Sequence, residues 1–248
     1  MKFKKLLFAC LIVTANISCS HKIFKITQAT STRIAIDSTT EAIADKNYEA
    51  YLLPTKQKID AEMNEVIGQA TESMRARKPE SLLSNFSADV YRQAASDYLK
   101  EKVDLSVVNL GGLRTEVPAG NITVRKVFEL MPFENELVIL WLKGDKLSDL
   151  LNGFASIGGQ GVSGLHMEIS NGKAVNVTIN GKPLDTNKLY TIATNDYLAV
   201  GNDNMLPLAM NEKRLNTGLK IRNVLMDYIK SETKKGNKIQ SKLDGRIQ

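Results

Sequence analysis

The sequence predicts an α+β protein, a mixed and largely antiparallel sheet with helices packed on it. Three observations point there. Over residues 80–100, Leu82, Phe86, Val90, Ala94 and Tyr98 recur at every fourth position, giving one apolar stripe of a helix that lies on a sheet. Two alternating runs, residues 165–169 and 175–179, are followed by Asn171-Gly172 and Asn180-Gly181, the two-residue turns that join antiparallel strands. Helical and extended segments otherwise alternate irregularly, with no internal repeat and no low-complexity stretch.

The N-terminus stands apart from that domain. Lys2, Lys4 and Lys5 precede an apolar run over residues 6–13 that is too short to cross a bilayer, the pattern of a secretory signal over residues 1–18. Asn16-Ile17-Ser18-Cys19 resembles the lipobox of bacterial lipoproteins, which makes Cys19 the lipidated first residue of an exported chain at the bacterial cell envelope. Ordinary cleavage near Ser18 or Ser20 is the alternative. Residues 19–45, rich in Ser and Thr, then serve as a tether, with one alternating stretch at 32–37 able to add an edge strand, and residues 46–248 form the domain.

Composition narrows the function classes. The 248 residues are 43% hydrophobic and 24% charged, enough for one core. The formal charge of +6 falls to 6 − 3 = +3 once the three signal lysines are removed, which leaves no nucleic-acid footprint. The basic residues between Lys230 and Arg246 read as a solvated helix face and tail. The cysteines are Cys10 and Cys19, so the mature chain has no internal disulfide.

Within the domain, Pro54 places the start of a first helix at about Thr55. Residues 103–108 alternate and then turn fully apolar, a strand entering a core. Residues 122–130 carry helical spacing that Pro132 ends, and a strand follows over 136–142. A short helix from Gly144 buries Leu147, Leu150, Leu151 and Phe154 and runs into the glycine-rich link 158–161. A strand over 189–193, a loop over 195–204 and a helix over 219–229 complete the chain.

No catalytic residue is assigned. The two histidines, His21 in the tether and His166 within a strand, are far apart and lack neighbouring ligands, so no metal site is expected in this chain. The stretch Gly161-Val162-Ser163-Gly164 lacks the full pattern of a nucleophile elbow. Three loops at strand ends, 109–114, 158–164 and 196–204, have the composition of recognition loops instead. In the first, Gly111 and Gly112 permit positive φ and close backbone approach, Arg114 supplies a forked cation for phosphate or carboxylate, and Asn109 offers a donor and an acceptor. An ordinary Gly-Gly turn with an exposed arginine is the plainer reading. In the third, Tyr197 is an aromatic platform and Asp203 an acceptor, with Gly201 and Asn202 tolerant of a left-handed backbone between them.

The ordered set Asn109-Leu110-Gly111-Gly112-Leu113-Arg114, Gly120-Asn121-Ile122-Thr123, Met131-Pro132-Phe133-Glu134-Asn135, Val162-Ser163-Gly164-Leu165 and Gly201-Asn202-Asp203 resembles the C-terminal domain of the 5'-nucleotidase and UDP-sugar hydrolase family, over roughly residues 64–246. The resemblance implies a nucleoside-binding domain without the metallophosphoesterase domain that carries the metals. Asn109, Gly111, Gly112, Arg114, Tyr197 and Asp203 would then bind substrate, with Arg114 near phosphate or ribose and Asp203 near ribose. It also implies two rings clamping the base. Tyr197 matches one, and the position of the other falls in 158–161, where no aromatic exists; one missing ring forfeits about 1–3 kcal/mol. Near the start of the long helix, Arg77-Lys78-Pro79 departs from the arginine of the family pattern. Three functions are open: recognition half of a split 5'-nucleotidase acting with a separate metallophosphoesterase chain, an envelope binding module for nucleosides, nucleotides or another small ligand, or a structural remnant.

Overall fold

Side chains alternate across a strand, so a strand buried on both faces reads as one continuous apolar run. The run Leu137-Val138-Ile139-Leu140 is such a case: Leu137 and Ile139 join one buried cluster, Val138 and Leu140 another. A computed structural model describes residues 24–248. The signal at 1–18, the lipidation site Cys19, the start of the tether and His21 lie outside the described residues. The chain divides between Tyr51 and Leu52 into two units, each taken by itself.

In the first unit, residues 24–36 have no regular structure and a 3₁₀ helix covers Ser38–Ile43. The edge strand expected at 32–37 does not form. Ile34 and Ile36 are exposed, and an alternating run without a partner strand gains nothing from being extended. Helix α1 spans Lys46–Met63, so only its first residues belong to this unit; it passes through Pro54 and begins well before the expected Thr55. Asp45 stabilises that earlier start by accepting hydrogen bonds from the backbone N–H groups of Asn47 and Tyr48.

The second unit is built on a five-stranded sheet. Its strands are β2 (Leu105–Val108), β4 (Glu136–Lys143), β5 (Gly161–Ser163), β9 (Leu189–Asn195) and β10 (Lys213–Lys220), in the order β10-β4-β9-β2-β5. Only β2 and β9 are parallel. One face carries α2 (Leu82–Leu99), α3 (Val124–Leu130) and α6 (Ile221–Lys234). The other carries α4 (Gly144–Ser156), the short α5 (Leu206–Ala209) and the meander β6 (Leu165–Ser170), β7 (Lys173–Ile179) and β8 (Lys182–Pro183). The pair β1 (Val66–Ala70) and β3 (Gly120–Thr123) makes a separate two-stranded sheet. Among the described residues no helix is long and apolar enough to cross a membrane.

Several expected boundaries move. Ile122 and Thr123 belong to β3, and Thr123 caps the helix by accepting from the Lys126 N–H, so α3 starts at Val124. Residues 219 and 220 close β10, an edge strand that sequence patterning does not announce, and α6 starts after them. The hairpin turns fall where expected, with left-handed φ at Asn171 (49°), Gly172 (71°), Asn180 (50°) and Gly181 (75°).

Candidate functional site

Strand directions decide which loops meet. Because β2 and β9 are parallel, their C-terminal ends reach the same edge of the sheet, releasing Asn109 and Asp196 there. Strands β4 and β5 run the other way and begin at that edge: Leu137 pairs with Asn195, and Gly161 with Val108. Four segments distant in sequence thus open on one rim, and a cavity of about 320 Å³ lies among three of them. It is lined by Asn109, Gly111, Gly112, Arg114, Met131, Phe133, Asn135, Asn195, Tyr197 and Asp203.

Asp203 is the centre of its polar side. Tyr197 Oη donates to Asp203 Oδ1 at 2.9 Å, and Asn109 Nδ2 donates to Oδ2 at 2.6 Å. The loop aims the carboxylate through left-handed backbone at Gly201 (φ 92°), Asp203 (55°) and Asn204 (61°); Asn202, which would tolerate that conformation, does not adopt it. Asn202 instead donates its side-chain amide to the Tyr197 carbonyl, at 2.9 Å. The hydrogen bond to Asp203, followed by its charge and by slight burial, raises the Tyr197 pKa above its ordinary 10.0. The phenol therefore stays protonated, and donating, at neutral pH.

The Gly-Gly loop works differently from expectation. Neither Gly111 nor Gly112 has positive φ; with Leu110 they form one turn of 3₁₀ helix. Gly112 is needed for space, since a Cβ there would stand 2.7 Å from Asn109 Oδ1. At Gly111 a Cβ would meet nothing within 4 Å, so this glycine is not required for space. Arg114 donates one bond, Nη1 to the Gly111 carbonyl at 3.1 Å, and its guanidinium carbon lies 5.9 Å from the Phe133 ring centroid. The rest of its fork is available.

The structure therefore brings together Asn109, Gly111, Gly112, Arg114, Tyr197 and Asp203, and adds Phe133. No residue of 158–161 lines the cavity. Gly159 abuts the Pro79 backbone and Gly161 abuts that of Val108, so neither position admits a side chain. Gln160 turns inward, and its Oε1 accepts from the Leu110 N–H at 3.0 Å, bracing the Gly-Gly loop. The expected absence of a second ring is corrected accordingly: Phe133 and Tyr197, 42% and 43% exposed, share the cavity. An apolar ring between a helix-stopping proline and a buried strand is the signal in the sequence that points to it. Lys78 donates to the Ile157 carbonyl and is not part of the cavity. His166 lines a different cleft beside Arg246, and among the described residues no group of three or more His, Cys, Asp or Glu is placed to hold a metal ion.

The model of the family described as 5'-nucleotidase, C-terminal domain, matches residues 66–210. Protein UshA of Yersinia enterocolitica is 29% identical over 217 residues, covering 84% of this chain and 39% of that protein. The 5'-nucleotidase of Vibrio parahaemolyticus is 28% identical over 199 residues, covering 78% of this chain and 35% of its own length. The crystal structure of a 5'-nucleotidase precursor from Thermus thermophilus superposes with a TM-score of 0.68 at 29% identity, covering 84% of this chain and 44% of that one. The Thermus thermophilus sulfate thiohydrolase SoxB shares the fold, with a TM-score of 0.58 at 18% identity. This chain thus spans less than half of the length of each of these relatives.

Proposed function

The chain belongs to the 5'-nucleotidase C-terminal domain family, and from that premise we propose that it is the substrate-recognition half of a split 5'-nucleotidase-type hydrolase at the bacterial cell envelope. In this reading it holds the nucleoside part of a nucleotide, while a separate metallophosphoesterase chain supplies the divalent metals and the hydrolysis. One observation carries it: two exposed rings, a pre-oriented carboxylate and a largely free guanidinium line a single cavity.

Phe133 and Tyr197 supply two rings on the cavity wall for a base to stack on, each such contact contributing about 1–3 kcal/mol. Each oxygen of Asp203 already holds one donor and keeps a lone pair, so the carboxylate can accept from two neighbouring hydroxyls, as a ribose presents them. The remaining donors of Arg114 suit a phosphate oxygen. Activating water would take metal ligands that the described residues do not group, which is why hydrolysis is assigned to a partner.

Calorimetric titration with adenosine, AMP and ribose 5-phosphate tests recognition. AMP is expected to bind the parent, with Tyr197→Ala weakening it roughly tenfold or more through the lost ring and Arg114→Ala weakening AMP more than adenosine. No binding of any of the three would remove the reading. Phosphatase activity is expected only on mixing with a metallophosphoesterase chain from the same genome. Robust activity of this chain alone, with any divalent metal, would refute the split.

A further inference from the structure

Phe133 sits on the five residues Met131 to Asn135 that connect α3 to β4. A ring at the centre of such a connection holds its direction only if the connection is tied down from outside. The ties come from the junction of β10 and α6. The Ile221 N–H donates to the Asn135 carbonyl at 2.9 Å, and Lys220 Nζ donates to the Glu134 carbonyl at 3.0 Å.

Arg222 does more than either, because its guanidinium reaches both sides of Phe133. Nη2 pairs with Glu134 Oε1, and Nη1 points at the Met131 carbonyl at 3.5 Å. The same group lies 4.0 Å over the Phe128 ring at the end of α3, and Arg222 is only 8% exposed. Its Nε is buried without a hydrogen-bond partner. A buried donor left unpaired is unfavourable, so this arginine is poorly explained as a stabiliser of the core. Its distinctive contribution is the bridge across the connection.

We propose that Arg222 is a positioning residue that fixes the Phe133 ring at the mouth of the cavity, and so sets how strongly the site prefers ligands carrying a base. The inference rests on the proposed nucleoside recognition for its consequence, but the tie itself can be measured without ligand. The hydrogen bonds of Arg222 all end on the connection that carries Phe133, so its effect on a base should pass through that ring.

The experiment has two arms on the full chain. In the first, the N–H order parameters of the backbone at 133–135, measured by NMR relaxation, are compared between parent and Arg222→Met, which keeps apolar bulk and removes the fork. They are expected to fall from about 0.85 to about 0.6 or below while those of the central residues of β4 do not change. Glu134→Gln probes the same tie from a side chain that is 67% exposed, so it remains informative if the arginine variant fails to fold. In the second arm, Arg222→Met is expected to weaken adenosine about tenfold, leave ribose 5-phosphate unchanged, and have no further effect in a Phe133→Ala background. Unchanged order parameters at 133–135 in both variants overturn the proposal. So does an affinity loss that persists without the Phe133 ring. If the parent binds no nucleoside, it is the recognition reading that fails, and the relaxation arm alone decides the role of Arg222.

Discussion

Two clusters that pair carboxylates with donors sit beside cavities in the second unit, and they differ in how many guanidinium donors they leave unused. Around Arg246 every donor is taken. Nε donates to Asp244, Nη1 to Asp89 and the Val162 carbonyl, and Nη2 to both aspartates, so all five N–H groups have partners. Glu80 closes the arrangement by accepting from the N–H groups of Asp244 and Gly245. Beside Asp203, Arg114 uses one N–H and keeps the rest, and two aromatic side chains are exposed. The cleft beside Arg246 is the larger, about 540 Å³ against 320 Å³. Volume and charge do not separate a lock from a recognition site; spare guanidinium donors and uncovered rings do.

The largest effect expected from this contrast is on stability. Arg246 is 8% exposed and joins the C-terminal segment to α2 and β5, so Arg246→Met strands two carboxylates and a carbonyl. We expect a loss of about 2–4 kcal/mol, read by calorimetry as a fall in Tm of roughly 5–15 °C, with no change in adenosine affinity. The pH dependence carries a definite sign. Hydrogen bonds from Arg246 hold the Asp244 carboxyl below its ordinary 3.8, so its contribution is complete above that pH and is lost as pH falls through the lower folded value. Burial opposes the Arg246 charge, yet the Asp244 and Asp89 hydrogen bonds outweigh it and raise its pKa, so the arginine does not titrate in this range. The gap in Tm between parent and variant should therefore be level from neutral pH to about 4 and narrow below it. A gap that persists in strong acid would mean that the cluster does not act through Asp244.

At the other cluster the effect should fall on binding. Asp203 has left-handed backbone, φ 55°, which asparagine also tolerates, so Asp203→Asn keeps the loop while removing the charge and one acceptor. We expect adenosine to weaken by about tenfold, near 1.4 kcal/mol, with Tm almost unmoved. Preference for adenosine over 2'-deoxyadenosine should shrink with it. If Asp203→Asn instead destabilises the protein as Arg246→Met does, the two clusters are of one kind.

What the chain discloses before folding follows from the range of the interactions. The helix Leu82–Leu99 is legible because its apolar stripe is local, as are the stop at Pro132 and the Asn-Gly turns, where two residues set their own φ. Asn109, Arg114, Tyr197 and Asp203 are legible as residue types on loops, and the family motifs name them. That Asn109 touches Asp203 across 94 positions depends on the parallel pairing of β2 with β9, which no local pattern encodes. The meeting of Phe133 with Tyr197 is hidden for the same reason: it follows from β4 starting where β9 ends. The edge strand Lys213–Lys220 is not legible because its burial is irregular, nor is the start of α1, because Asp45 caps a helix that runs through Pro54.

The smallest effect is the one that divides ring from hydroxyl within the site. Tyr197→Phe keeps the aromatic face and removes the donor to Asp203 Oδ1. If stacking carries the affinity, adenosine should change by about threefold or less, far below the loss in Tyr197→Ala. The raised pKa supplies a second measurement. The protonated phenol is the form the fold favours, so its contribution is present below 10.0 and is lost as pH rises through the higher folded value. Adenosine affinity of the parent should thus be flat from neutral pH to 10.0 and decline only above that, where Tyr197→Phe lacks the decline. Should Tyr197→Phe lose as much as Tyr197→Ala, the hydroxyl is indispensable to Asp203, and the pre-oriented carboxylate rather than the pair of rings would be the principal element of recognition.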